Sequence, residues 1–296
     1  MAYGPAPKRP QGAVMPAAPM EPVVMGDQVP RVSRLGPLKI FLPAIYGQMT
    51  DMARKLNVLP DLLEGNVDTL DAETTGFNRS KCVMWQLSAM RFRKFEPAEH
   101  LDRVISISRE DYDNAFYGQA DKAEIMQKIH LTWERIEQEG VPAKQVLDEF
   151  QDFLGGPSTL PLLGFHTRSI DLPFIQILWG QHYPGIPVFF PMHRLIDVGV
   201  AVKAAQLDNK MLSSESVESF MRRITATRAK RIYWSVQYIT EQLGFEIDHD
   251  ALHDALTDCA VVGMIWDYVA HQEMTPGRMQ DWRERLERGL KETVHG

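Results

Sequence analysis

Apolar and polar positions alternate from Val67 to Thr75, with β-branched residues among them, and Gly76 closes the run. The pattern predicts a strand that runs straight into a turn. Similar alternation predicts a second strand from Val83 to Phe95 and a third from His100 to Ile107, an antiparallel start to a sheet. From Asp121 to Gly140 the period becomes helical. Val146, Leu147, Phe150, Phe153 and Leu154 then form an apolar stripe that stops at Gly155-Gly156, with Pro142 suited to the first turn. The run Leu160 to His166 reads as a short buried strand, and a helix begins at Pro173 with Asp171 near its start. Pro187 to Phe190 reads as another strand, and Arg194 to Asp197 leads into a helix. Ala255, Cys259, Val262 and Trp266 make the core stripe of a late helix, and Asp258 lies beside that stripe.

The two ends read differently. Residues 1–38 are rich in Pro, Ala, Gly and Met with no period, which predicts a disordered arm. Residues 39–65 carry Met49, Met52, Ala53, Leu56 and Leu62-Leu63 in the pattern of one or two short helices, interrupted at Pro60. Residues 273–296 predict a charged helical tail.

Composition narrows the class. The chain of 296 residues is 44% hydrophobic and 24% charged, as a globular protein is. Its net charge of −7 excludes a generally basic nucleic-acid wrapper, so a polyanion would be held by local patches and cations. The most basic window is Arg222, Arg223, Arg228, Lys230 and Arg231, which a helix would spread round its surface. Two cysteines, Cys82 and Cys259, make neither a disulfide framework nor a cysteine zinc site, which points to a reducing, cytoplasmic setting. No apolar run is long enough to span a membrane, and prolines break up the one apolar stretch of the N-terminus.

The chemistry concentrates in acids. On an extended strand, residues two apart point the same way, so Asp71 and Glu73 present their carboxylates side by side. Two such charges repel unless a cation lies between them or one keeps its proton. Oxygen ligands of this kind suit a hard divalent ion. A carboxylate at Asp258, against a core stripe, is likewise costly unless paired or metal-bound.

Taken in order, Asp71 and Glu73 on a strand, Asp171 opening a helix, and Asp258 with His253 on a late helix resemble the DnaQ-like (DEDDh) 3′–5′ exonuclease family of the ribonuclease H-like superfamily. Asp71-Ala72-Glu73-Thr74-Thr75-Gly76 is similar to its first motif, Gly164 to Phe174 to its second, and His253 to Asp258 has the spacing of its third. His166 stands where that family usually carries Asn. A competing register pairs His249 with Asp254; His253 with Asp258 is preferred, because the small and branched residues after Asp258 continue the stripe. The resemblance covers roughly residues 66–270, with the exonuclease domain it implies set at 66–272. It implies an α/β fold with a ribonuclease H-like mixed central sheet flanked by helices. It also implies two divalent cations, Mg²⁺ or Mn²⁺, held by Asp71, Glu73, Asp171 and Asp258, with His253 as general base. Thr74, Thr75, Gly76 and His166 would face the substrate. The implied activity is hydrolysis at single-stranded 3′ ends, with DNA expected and an RNA-processing enzyme as the alternative. A further alternative is a proofreading or accessory subunit that meets a polymerase or replication protein through the arm or the tail.

Overall fold

The computed structural model describes residues 38–155, 160–188, 190–229, 232, 235–243 and 253–272. The expected arm before residue 38 and the expected tail helix after 272 lie outside these residues, as do His249, Lys230 and Arg231.

A 3-10 turn, Leu38–Phe41, leads into α1 (Leu42–Lys55) and α2 (Leu59–Leu63). Pro60 sits in the first turn of α2, where its missing N–H leaves no bond unmade, so it starts that helix and interrupts nothing. Ile45, Met49, Met52 and Ala53 of α1 are fully buried. Tyr46 stacks on Trp266 with ring centroids 6.1 Å apart, and the Trp266 indole donates to the Leu62 carbonyl at 3.1 Å. This lead-in is therefore built into the core.

Strands β1 (Val67–Thr74), β2 (Met84–Arg93) and β3 (Glu96–Val104) follow, each antiparallel to the one before. The third begins at Glu96, ahead of the His100 expected from alternation. The reason is a two-residue turn at Lys94 and Phe95, whose φ angles of +53° and +67° carry none of the Gly or Asn that usually announces such a turn. Backbone bonds hold it in place: Lys94 N donates to Asn66 Oδ1 at 3.1 Å and Phe95 N to Gly65 O at 3.0 Å.

Next come α3 (Arg109–Asp113), α4 (Lys122–Lys128) and α5 (Trp133–Glu139). The helical period read from Asp121 to Gly140 is split, because His130 turns left-handed at φ +54° and Thr132 caps α5 by accepting from Arg135 N at 3.1 Å. The chain continues through α6 (Ala143–Gly155), β4 (Leu162–Gly164), α7 (Asp171–His182), β5 (Leu195–Asp197), α8 (Val198–Gln206), α9 (Val217–Ala226), α10 (Val236–Leu243) and α11 (Ala255–His271). Helix α7 starts at Asp171, two residues before the Pro173 expected. The strand expected at Pro187–Phe190 does not form at its described positions; the fifth strand is the buried run Leu195–Asp197. Prolines cannot donate to a ladder, and a three-residue strand is too short to show a period.

The sheet order is β3-β2-β1-β4-β5, with β4 and β5 parallel to β1, so the mixed central sheet expected is the one formed. Helix α11 covers one face. Gly263 permits this approach, since a Cβ there would come within 2.4 Å of the Phe92 ring. On the other face Asp68 is fully buried and accepts from Arg91 Nε at 2.8 Å and Arg194 Nη1 at 3.0 Å. Arg194, itself 2% exposed, also donates to the Leu160 and Leu154 carbonyls. Replacing it with Leu takes a donor from all three acceptors. Arg194→Leu should cost about 3 kcal/mol, the usual loss when one partner of a buried pair is removed. Urea unfolding measures this; an unchanged midpoint would show that the network does not hold the sheet to its connections.

Candidate active site

Strand β1 lies where the antiparallel and parallel halves of the sheet meet. Near its C-terminal end Asp71 and Glu73 project from one face, opposite Ser88 and Gln86 of β2. Asp171 is the first residue of α7 and is 2% exposed. Asp258 stands in the first turn of α11, and His253 immediately precedes the Asp254 cap of that helix. Glu73, His253 and Asp258 each offer a ligand atom, and these atoms lie within 4.8 Å of one another. The five residues singled out from the motifs thus meet at one end of the sheet.

The turn after β1 uses the groups expected to face a substrate for its own shape. Thr74 Oγ1 donates to Gly76 O at 3.0 Å, and Thr75 Oγ1 accepts from Val83 N at 2.9 Å, with both threonines buried. Gly76 takes φ +141°, and a Cβ there would come within 2.9 Å of Cys82 Sγ. His166 has φ +61°, a conformation that Asn and His both enter more readily than most residues, so it meets the backbone demand at this position. Its N–H donates to Asp197 Oδ1 at 3.2 Å, and its ring lies edge-on to Phe165. In the basic window, Arg222 pairs with Glu218 at 3.1 Å and Arg223 with Glu215 at 2.7 Å.

Several residues outside the expected ligand set support the site. Asp197 is 1% exposed and caps α8 by accepting from Val200 N at 3.0 Å, while also gripping the turn that delivers Asp171. An Asp directly before an apolar helical run is a capping signal that could have singled it out. Asp254 caps α11, accepting from Thr257 N at 3.3 Å, and also accepts from Gln86 Nε2 and Arg135 Nη2. Gln86 and Arg135 come from distant segments, and no local pattern joins them to it.

No protein-family model matches the chain, and no curated protein matches its sequence. Among solved structures, one of exonuclease I aligns at 15% identity over 73% of this chain and 42% of that chain, with a TM-score of 0.50. A product-bound exonuclease I aligns at 13% identity over 73% and 46%, also at 0.50. Pop2p of S. pombe in its Mg²⁺ and Mn²⁺ bound form aligns at 12% identity over 77% of this chain and 94% of that chain, at 0.48. At such identities the likeness to exonuclease I is one of fold alone. The chain matches less than half the length of exonuclease I.

Charge is the site's unresolved element. Burial raises Asp71 well above the ordinary carboxylate range, and Asp171, Asp258, Glu73 and Asp254 push it further. Glu73 is raised by burial and then by Asp258, Asp171 and Asp254, with Arg135 opposing. Asp171 is raised chiefly by burial, against the Thr167 hydroxyl and its own N–H. Asp258 is pushed up to about 7 by burial, against the His253 N–H and with Asp254 adding to it. One buried oxygen on each of Asp171 and Asp258 has no hydrogen-bond partner among the described residues. Desolvated carboxylates that repel one another and keep free oxygens are a donor set fitted to a hard cation. His253 is shifted the other way: desolvation lowers its pKa, with Lys128 and His130 adding to this, which favours the neutral ring although the side chain remains exposed.

The raised acids set the sign of a pH effect. A carboxyl that binds its proton more tightly when folded adds stability below its unfolded value, and loses it as pH climbs to the folded value. For Asp258 that window runs from 3.8 to about 7. Without divalent ions, the wild-type Tm should fall more across this window than that of Asp258→Asn, and Mg²⁺ or Mn²⁺ should restore it at the upper end. Parallel profiles that neither ion moves would refute a cation-requiring cluster.

Proposed function

We propose that this chain is a metal-dependent 3′–5′ exonuclease that hydrolyses phosphodiester bonds at single-stranded DNA 3′ ends and releases nucleoside monophosphates, with residues 66–272 as its catalytic domain. The observation that carries the reading is the close grouping of Glu73, His253 and Asp258 beside Asp71 and Asp171, with two buried carboxylate oxygens left over. The fold shared with exonuclease I is compatible with it and adds no residue roles.

In this reading Asp71, Glu73, Asp171 and Asp258 hold two Mg²⁺ or Mn²⁺ ions. Such ions, when bound, activate water and stabilise a leaving oxygen. The protein's own part is proton transfer and placement. Neutral His253 accepts a proton from the attacking water at a ring nitrogen, as the water oxygen bonds to phosphorus. The bond from phosphorus to the 3′ oxygen of the preceding nucleotide breaks, and that oxygen takes up a proton. Asp171, fixed at a helix N-terminus, and Asp71 and Glu73, fixed on a central strand, keep the acids in place without rearrangement. Asp254 is already occupied as cap and ion-pair partner, which favours Asp258 over Asp254 as the ligand.

An end-labelled degradation assay tests this, on matched single-stranded DNA and RNA with Mg²⁺, Mn²⁺ or EDTA. Wild type should shorten DNA from its 3′ end only with metal, and Asp71→Ala should abolish this while remaining folded. His253→Ala should lower the rate by about 10²-fold, the scale of a lost general base. Faster cleavage of RNA would move the substrate assignment to the RNA-processing alternative. Full activity in Asp71→Ala would end the site assignment, and loss in His249→Ala but not His253→Ala would shift the third motif by one register.

A further inference from the structure

We propose that Arg135 and Gln86 are positioning residues for His253, acting on it through Asp254. The proposal rests on the reading of His253 as the general base. The His253 ring offers a ligand atom within 4.8 Å of those of Glu73 and Asp258, and the backbone that delivers it there is unusual. That backbone is left-handed at φ +72°, a conformation that persists where the surroundings hold it. The His253 N–H donates to Asp258, and the next residue supplies a second hold. Asp254 Oδ1 accepts from Thr257 N, and Oδ2 accepts from Gln86 Nε2 at 3.0 Å and Arg135 Nη2 at 3.3 Å.

Gln86 is fully buried on β2, opposite Glu73. Its amide group bridges two carboxylates, donating also to Asp102 Oδ1 at 2.9 Å, and its carbonyl accepts from Ala255 N at 3.4 Å. Ser88 Oγ fixes Asp102 in turn at 2.6 Å. One strand therefore presents Gln86 to the start of α11 in a single orientation. Arg135 arrives from the other side. Its guanidinium lies over the Trp85 ring, 5.3 Å from the centroid, and its Nε pairs with Glu139 at 3.1 Å. Helix α5, which carries it, rests on a small core of its own that includes Trp85, Met126, Leu131 and Ile136. Arg135 thus couples this second core to the cap of the helix that bears Asp258.

Because Gln86 is buried, the partly exposed Arg135 carries the test. Arg135→Gln, Arg135→Lys and Gln86→Leu would be compared with wild type for kcat and KM on a single-stranded oligonucleotide, for Tm, and for the ring signals of isotope-labelled histidine by NMR. Arg135→Gln should lower kcat by on the order of 10- to 100-fold, the effect of misplacing a catalytic group by about an ångström. KM should stay close to wild type, and Arg135→Lys should recover part of kcat. The His253 ring signal should be single in wild type and Arg135→Lys, and shifted or broadened in Arg135→Gln and Gln86→Leu. An unchanged ring signal would overturn the proposal. So would a loss of kcat that follows Tm and KM together and is not rescued by Lys, since that pattern marks a purely structural role. A wild-type protein without nuclease activity would remove the functional reading, while the ring signal would still decide the clamp.

Discussion

Mutual repulsion among carboxylates confined at the end of β1 governs this molecule. Asp71, Glu73, Asp171 and Asp258 are brought together where little water reaches them; burial raises the proton affinity of each, and repulsion from neighbouring acids adds to it. A hydrophobic core alone would not retain such an arrangement, because desolvated like charges cost several times what one buried methyl group returns. The strand carrying the first pair lies centrally in the sheet, between an antiparallel and a parallel neighbour. Ligand sites in open α/β sheets form at the carboxyl ends of strands where the order reverses, and the acids stand at such a place.

Around that cluster, the neighbouring polar groups are arranged to hold it without neutralising it. Asp197 grips the backbone before Asp171 and caps α8; Asp254 caps α11 and takes up Gln86 and Arg135. Arg135 opposes the charge on Glu73, and it is already paired with Asp254 and Glu139. The catalytic reading follows from this division of labour. Supporting acids have their own partners, while Asp171 and Asp258 each keep a buried oxygen with no partner among the described residues.

Much of the fold was legible because long periodic segments report burial directly. β1, β2, α6 and α11 fall close to where alternation or a helical stripe placed them. Where the reading slipped, a local signal was missing. Lys94-Phe95 makes a tight turn without Gly or Asn, His130 breaks a helical period by adopting a positive φ, and Leu195–Asp197 is too short a strand to show alternation. At the Lys94-Phe95 turn and the short strand, bonds to segments elsewhere in the chain hold a conformation that the local residues do not specify.

The site divides along the same line. Residue type and spacing alone put Asp71 and Glu73 on one face of a strand and Asp258 beside a helical stripe, since the strand period of two and the helical period of 3.6 follow from backbone geometry. Spacing could not show that Gln86 and Arg135 would meet at Asp254. Both are encounters between segments far apart in the chain. Packing decides them, because only a closed core brings such segments within hydrogen-bonding distance and removes the water that would otherwise screen their charges.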